Sequence, residues 1–349
     1  MKTIHIVSGN RLIPLVDKFN PFKDITIWGL AFAGQTDLAI KRHEIGTDLE
    51  LLAADPNTKI VVILNAISQT NIRKNRKDIF VVAMHVTNNL TPQKQYISAL
   101  HFLKENSFNL VFAFDEQTNH CMVVSPEEAH YHDGDIQQAI AGCVEMTLFR
   151  SHLTFTRSTV IAGEPVDWNS EVVPSALREV VNYCINRKAY KPFRGSTVGH
   201  FACKVNDTTF LTSRRKTNFN DLDKIGLVKI VTDGPDSVLA YGSKPSVGGQ
   251  SQRIIFHDHK DYDCVVHFHC PIKEGSLVPQ VSQREVECGS HQCGRNTSNN
   301  LKQFGHLSAV YLQQHGPNIV FHRSINPQEV IDFIEANFNL DEKTGGYVS

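Results

Sequence analysis

The sequence lacks an excess of charge of either sign: its 349 residues carry 35 Lys and Arg against 36 Asp and Glu, a formal net charge of −1. A surface that coats nucleic acid or lies on anionic lipid needs a Lys/Arg surplus to release counterions or attract headgroups, so no nucleic-acid and no membrane partner is expected and small-molecule work is favoured. No apolar run approaches the roughly 18 residues that would span a bilayer. The N-terminus, Met1-Lys2-Thr3-Ile4-His5-Ile6-Val7, has no uninterrupted apolar core of the secretory kind. These absences predict a cytoplasmic protein. Internal repeats and low-complexity stretches are also missing. The eight cysteines (121, 143, 184, 203, 264, 270, 288 and 293) are scattered through a long chain, which predicts reduced thiols rather than a disulfide framework.

What is present is an ordinary apolar content of 41% and, in the first half, a βαβ rhythm. Thr3 to Val7, Ile25 to Phe32, Lys59 to Leu64, Ile79 to His85 and Asn109 to Phe114 read as short strands. Asp48 to Ala54, Pro92 to Glu105 and Asp135 to Leu153 read as helices, the second with Thr91-Pro92 as cap and first turn. Such alternation predicts a mostly parallel sheet with helices on its faces and a ligand crevice beyond the strand carboxyl ends. The turn formers from Ala162 to Ser170 break every periodicity. The expected organisation is a domain over 1–162, a linker over 163–175 and a second domain over 176–349. In the second, a helix opens at Pro174, strands follow over Phe201–Val205, Thr209–Thr212, Val228–Val231, Asp263–His269 and Ala309–Gln313, and a last helix runs from Pro327 to Phe338.

Histidine is the unusual residue. Of seventeen, eight fall between His257 and His322. Asp263-Cys264-Val265-Val266-His267-Phe268-His269-Cys270 reads as a buried strand ending in two histidines one residue apart, and positions i and i+2 of a strand share a face. Taken alone, the pair is equally well two satisfied polar residues at a strand end. Tyr311-Leu312-Gln313-Gln314-His315-Gly316 adds a second strand ending in a histidine, with a glycine free to turn the backbone away. Three neutral imidazoles with an open fourth position describe a catalytic zinc site.

Val265-Val266-His267-Phe268-His269 together with Gln314-His315-Gly316 resembles the class II aldolase/adducin family over roughly Leu177 to Phe338. The resemblance implies a class II aldolase-like α/β/α domain in which His267, His269 and His315 hold Zn2+ or another divalent metal. It further implies a lyase of dehydratase or aldolase type acting on a small phosphorylated hydroxycarbonyl compound, with the ion polarising a carbonyl, and a homo-oligomer, typically a tetramer. Arg194-Gly195-Ser196-Thr197-Val198-Gly199-His200 resembles the family's phosphate loop, giving Thr197 and His200 as phosphate or substrate contacts, although His200 stands where asparagine is usual. Thr212-Ser213-Arg214-Arg215-Lys216 resembles the Thr-Pro-x-Gly turn made basic, so Arg214 is an anion candidate, with an exposed charged turn as the alternative. Lys244-Pro245-Ser246-Val247-Gly248 resembles the Pro-Ser-Ser-Glu segment; Ser246 fits, and Gly248 occupies the place of the glutamate that moves the proton in fuculose-phosphate-type aldolases.

Ser282-Gln283-Arg284-Glu285-Val286-Glu287 resembles the His-Gln-Glu segment of methylthioribulose-phosphate dehydratases. It makes Glu285 the first acid/base candidate and Glu287 the second; a surface pairing of Glu285 with Arg284 or Arg253 is the alternative. Cys288-Gly289-Ser290-His291-Gln292-Cys293-Gly294 reads as a glycine-rich active-site loop, with a redox pair or second metal site as minority readings. His257-Asp258-His259 reads as an exposed turn.

In the first half, Asp78 to Asn88 and Asn106 to Asp115 resemble phosphopantothenoylcysteine synthetase domains, which are Rossmann-like and bind a nucleotide. Phe114 replaces the asparagine of the usual Ala-Asn-Asp, and Asn65 to Gln69 replaces Ala-Val-x-Asp-Tyr. Arg73, Lys74, Arg76 and Lys77 could receive a triphosphate or form a solvated loop, and Ser8-Gly9-Asn10 could touch a ligand at the end of the first strand. Two further classes stay open for the whole chain: a nucleotide-binding, ligase-like protein with an accessory aldolase-like module, and a non-catalytic scaffold of the adducin kind.

Overall fold

A computed structural model describes residues 1–7, 24–43, 48–64, 78–127, 129–132, 135–246 and 249–344. The fold is α/β, and the chain divides into two compact units, Met1–His152 and Leu153–Ser349.

In the first unit the strands are β1 (Thr3–Val7), β2 (Ala39–His43), β3 (Thr58–Ile63), β4 (Phe80–Thr87), β5 (Leu110–Asp115), β6 (Cys121–Val124) and β7 (Ala129–His132). They form one sheet in the order β2-β1-β3-β4-β5-β6-β7. The pairs from β2 to β5 are parallel, and β6 and β7 are added antiparallel. Order 2-1-3-4-5 is a doubly wound arrangement, so helices cover both faces. Helices α1 (Ile25–Ala33) and α4 (Ile136–Ser151) place Trp28, Phe32, Ile140 and Val144 against Ile4, Ile6, Val62, Val82 and Phe112. On the other face α3 (Pro92–Asn106) stacks Phe102 on His85. Burial from both sides is why the strands read as nearly continuous apolar runs.

Ile25 to Phe32 is helix rather than the expected strand. Asp24 caps it by accepting from the Thr26 N–H at 2.7 Å. An apolar run of that length has no period that separates the two states. The helix α2 (Leu49–Ala54) begins on a matching cap from Asp48.

The first unit also buries histidine. His5 shares a hydrogen bond with His43 at 2.9 Å, and its Nε2 meets the Thr58 hydroxyl at 3.1 Å. Burial pulls His5 down to about 4, with the neighbouring His43 adding to it, and burial alone pulls His85 to about 4. Unfolded, both return to about 6.5 and bind protons that the fold refuses. The stability they support is therefore whole above pH 6.5 and is lost as pH falls toward 4, by no more than about 3 kcal/mol each and less for the half-buried His85. Urea unfolding of the first unit across this window, read on Trp28 emission in a Trp168→Phe background, should show the decline; a flat profile would contradict it.

The second unit carries β8 (Arg157–Ile161), β9 (Pro192–Phe193), β10 (Ser196–Thr197), β11 (His200–Asn206), β12 (Thr209–Thr212), β13 (Val228–Thr232), β14 (Ser237–Tyr241), β15 (Cys264–His267), β16 (Gln280–Val281), β17 (Lys302–Phe304), β18 (Leu307–Leu312) and β19 (Gly316–Phe321). The main sheet runs β16-β18-β19-β15-β11-β12-β13-β14-β8, with β17 on β18 and most pairs antiparallel. Helices α5 (Ser175–Asn186) and α9 (Pro327–Asn337) cover one face through Leu177, Val181, Val330 and Ile334. The short α6 (Leu222–Ile225) follows the η-turn at Phe219–Asp221. On the other face, α7 (Gly249–Asp258) packs Ile255 and Phe256 on Ala202, Val265 and Val320, with α8 (His291–Asn299) against it. These are three α/β/α layers.

The division between the units falls after His152, ahead of the expected break at 163–175. Strand β8 pairs with β14, and Val166 and Leu227 exchange backbone hydrogen bonds at 2.9 and 2.8 Å. The turn formers from 162 to 170 are therefore a loop inside the second unit. Among the described residues no helix is long and apolar enough to cross a membrane.

Candidate metal centre

His267, His269 and His315 come together. Each offers one ligand atom, and these atoms lie within 4.8 Å of one another. Ring centroids stand 5.0 Å apart for His267–His269, 4.7 Å for His267–His315 and 4.3 Å for His269–His315. All three residues are buried. Imidazole nitrogens are donors that a divalent ion such as zinc takes, a tetrahedral ion holding them about 3.3 Å apart. Among the described residues the triad is the one such group of His, Cys, Asp or Glu.

The geometry is assembled differently from the simple strand picture. His267 closes β15, and His269 lies two residues past the strand end. β18 stops at Leu312; Gln313 to His315 form the hairpin turn into β19, held by the His315 N–H on the Leu312 carbonyl at 3.0 Å. Gly316 does not turn the chain away. It has φ +151°, and a Cβ there would stand 2.0 Å from the Phe268 carbonyl oxygen, so glycine lets the hairpin close directly on the backbone between the two other histidines. Gly199, the residue before β11, acts likewise: with φ +116°, a Cβ would stand 2.6 Å from the His267 carbonyl oxygen.

Protons are placed by the surroundings. A carbonyl only accepts, so the His267 Nδ1–H donates to the Pro317 carbonyl at 2.7 Å and Nε2 keeps its lone pair. That Nε2 is buried with no hydrogen-bond partner, an orphan that an ion would satisfy. Burial pulls His267 to about 4, with the Pro317 carbonyl opposing, so the imidazole is neutral, as a ligand must be. His200 pairs with His267 across the strands and stacks on it at 4.6 Å. Its Nδ1 accepts from Gln252 Nε2 at 2.6 Å while Gln252 Oε1 accepts from the Thr212 hydroxyl at 2.9 Å, which leaves the proton on His200 Nε2. Burial, then His267 and His315, hold His200 well below its ordinary value.

The other candidates are placed unevenly. Thr197 is tied to the neighbouring loop: its N–H and hydroxyl both donate to the Thr217 carbonyl (3.0 and 3.3 Å), and the hydroxyl accepts from the Phe219 N–H at 3.1 Å. Arg214 donates through Nη1 to the Ile225 carbonyl at 2.9 Å, while its Nε is buried without a partner. The same holds for the Ser213 hydroxyl, which sequence reasoning passed over although it adjoins Arg214. Ser246, half-buried, donates its N–H to the Ser213 carbonyl at 2.9 Å. Of the carboxylates, Glu285 is exposed on a turn and Glu287 is buried.

Cys293 lies on α8, where its Sγ accepts from Gln283 Nε2 at 3.1 Å, so the stretch after Ser290 is helix and not loop. None of the eight cysteines is in a disulfide. His257 and Asp258 end α7, and His259 meets the Ser298 carbonyl at 2.9 Å. Gly248, Ser8 to Asn10, Asn65 to Gln69 and the basic cluster Arg73, Lys74, Arg76 and Lys77 lie outside the described residues.

No family model matches the chain, and no curated protein matches it. Solved structures similar to parts of it include an L-fuculose 1-phosphate aldolase (15% identity, 46% of this chain and 82% of that one, TM-score 0.35). YgbL from Escherichia coli, described as a putative aldolase/epimerase/decarboxylase, is 19% identical over 47% of this chain and 84% of its own, with a TM-score of 0.35. A DNA/pantothenate metabolism flavoprotein from Streptococcus pneumoniae is 10% identical over 42% of this chain and 95% of its own, with a TM-score of 0.31.

Proposed function

We propose that the second unit is a metal-dependent lyase, with zinc held by His267, His269 and His315, acting on a small phosphorylated hydroxycarbonyl compound. The observation that carries this reading is the convergence of three buried imidazoles, one with a buried Nε2 that has no partner while its Nδ1 proton is held on a backbone carbonyl. Bound there, zinc supplies a Lewis acid for a carbonyl oxygen. His200 presents a neutral Nε2–H donor beside that centre. The Arg214 Nε–H and the Ser213 hydroxyl, buried donors in want of an acceptor, suit the anionic end of the substrate, with Ser246 beside Ser213. Glu287 takes the acid/base role ahead of Glu285, because a buried carboxyl exchanges protons with a reactant rather than with bulk water. Loss of water is favoured over carbon–carbon cleavage, since Gly248 stands where the resembling aldolases carry their glutamate. Eight cysteines with no disulfide between them suit a reducing, cytoplasmic setting.

Metal analysis of the purified full chain tests the assignment. The wild type should carry close to one zinc per chain and His267→Ala almost none. Equal metal in both proteins, or none in the wild type, removes the site.

A further inference from the structure

The chain that leaves His269 and the chain that leaves α9 run side by side. Lys273 N–H donates to the Asn337 carbonyl at 2.8 Å, Ile272 bridges to Phe338, and Asn339 N–H donates to the Pro271 carbonyl at 2.9 Å. Leu340 is buried, and its carbonyl accepts from the buried Lys191 ammonium. After a turn in which Asn339 Nδ2 donates to Glu342 Oε1 at 2.7 Å, the chain comes back to the histidines at Thr344. There one buried residue touches two candidate ligands: its N–H donates to the His269 carbonyl at 3.3 Å and its hydroxyl to the His315 carbonyl at 2.6 Å. His269 and His315 belong to different stretches of chain, one past the end of β15 and one in the hairpin before β19, and both carbonyls are gripped from the same side chain and its own amide.

We infer that Thr344 is a positioning residue for the metal centre, a bracket that sets the separation of His269 and His315, so that docking of the 338–344 strap and metal occupancy strengthen each other. The inference rests on the metal reading above. A hydroxyl bonded to a ligand's backbone acts on the ion through the ligand's orientation, as partners one step out from metal centres do, where their loss lowers metal affinity about 10–100-fold. Linkage is reciprocal: if the strap improves zinc binding, zinc must hold the strap.

The test compares wild type, Thr344→Val, which keeps the shape and the N–H but not the hydroxyl, and Thr344→Ser, which keeps both donors. Zinc affinity is read by competition with a chromophoric chelator, and the metal-free unfolding midpoint is read on Trp168. The expected result is at least tenfold weaker zinc binding by Thr344→Val, affinity near wild type for Thr344→Ser, and metal-free midpoints no more than about 4 °C apart, the shift that loss of one hydrogen bond produces. In the wild type, zinc should slow hydrogen exchange at the Thr344 amide at least tenfold, a measurement that stands even if a variant does not fold. Wild-type affinity in Thr344→Val, or exchange at that amide indifferent to zinc, overturns the bracket and leaves the zinc site standing. A fall in zinc affinity matched by a fall of more than about 4 °C in the metal-free midpoint makes Thr344 mere packing and also overturns it. Absence of zinc from the wild type overturns both.

Discussion

Replacing Gly316 by alanine should destabilise the second unit by on the order of 4 kcal/mol, a drop of roughly 10 °C in its unfolding midpoint. The reason lies in backbone meeting backbone. The added Cβ would sit 2.0 Å from the Phe268 carbonyl oxygen and 3.0 Å from its carbon, neither of which can swing aside like the end of a side chain, and φ +151° is strained for any L-residue. Relief requires the hairpin at 313–316 to pull off β15, which separates His315 from the other two histidines. Unfolding followed on Trp168 in a Trp28→Phe background reads the effect on this unit alone. A Gly316→Ala protein with a wild-type midpoint would show that the close approach described here is not present in solution.

Asp115→Ala should cost the first unit a similar amount, about 4 kcal/mol. The carboxylate is fully buried and no cation accompanies it among its hydrogen-bond partners; six donors do. Oδ1 accepts from the N–H groups of Asn89, Gln117 and Thr118 and from the Thr118 hydroxyl, and Oδ2 accepts from the Thr87 hydroxyl and the Leu90 N–H. Burial works against the charge, but the bonds from Leu90, Thr118 and Thr87 outweigh it and hold the carboxyl well below the usual range. Truncation leaves these donors without an acceptor at the point where the loop after β4 meets the turn after β5. Asp115→Asn should cost less, about 2 kcal/mol, because its oxygen can still face the four donors of Oδ1 and only the amide meets the Leu90 N–H head on. Chemical unfolding of both variants on Trp28 decides it: equal losses would mean that the charge, and not the count of acceptors, is what matters.

These two residues differ in how visible they are in the sequence. The histidines could be found because a metal site built on a strand end leaves a local trace, two imidazoles one residue apart and a third followed by glycine. The glycine is visible in the sequence but its role is not, since which backbone it approaches is a tertiary fact. Asp115 falls just past the strand read over Asn109 to Phe114 and enters only as the close of a stretch of family resemblance, because nothing local marks a carboxylate that gathers donors from residues 87–90 as well as from its own turn. Thr344 leaves no trace at all; its two acceptors lie 29 and 75 positions away in the chain. Elements followed the same logic. Long helices with an acceptable cap, such as α3 behind Thr91-Pro92, were legible. The helix α8, with the composition His-Gln-Cys-Gly-Arg-Asn-Thr-Ser-Asn, has poor helix formers and is held by Ser290, whose hydroxyl accepts from the Cys293 N–H at 3.0 Å, and by packing on α7. Edge and add-on strands such as β2, β7 and β8 are short and half polar, and pairing decides them rather than pattern.

The way the triad is stitched together has a consequence for biosynthesis. The described residues that build the first core all precede residue 152, so that unit can fold while the ribosome is still adding the rest. The second cannot finish so early: its three imidazoles meet only after the hairpin at 313–316 has been synthesised, and Thr344, whose N–H and hydroxyl tie two of them, arrives a further 28 residues on. A nascent or prematurely ended chain therefore carries His267 and His269 exposed and unassembled, and acquisition of the ion belongs to the last moments of translation or to the time after release.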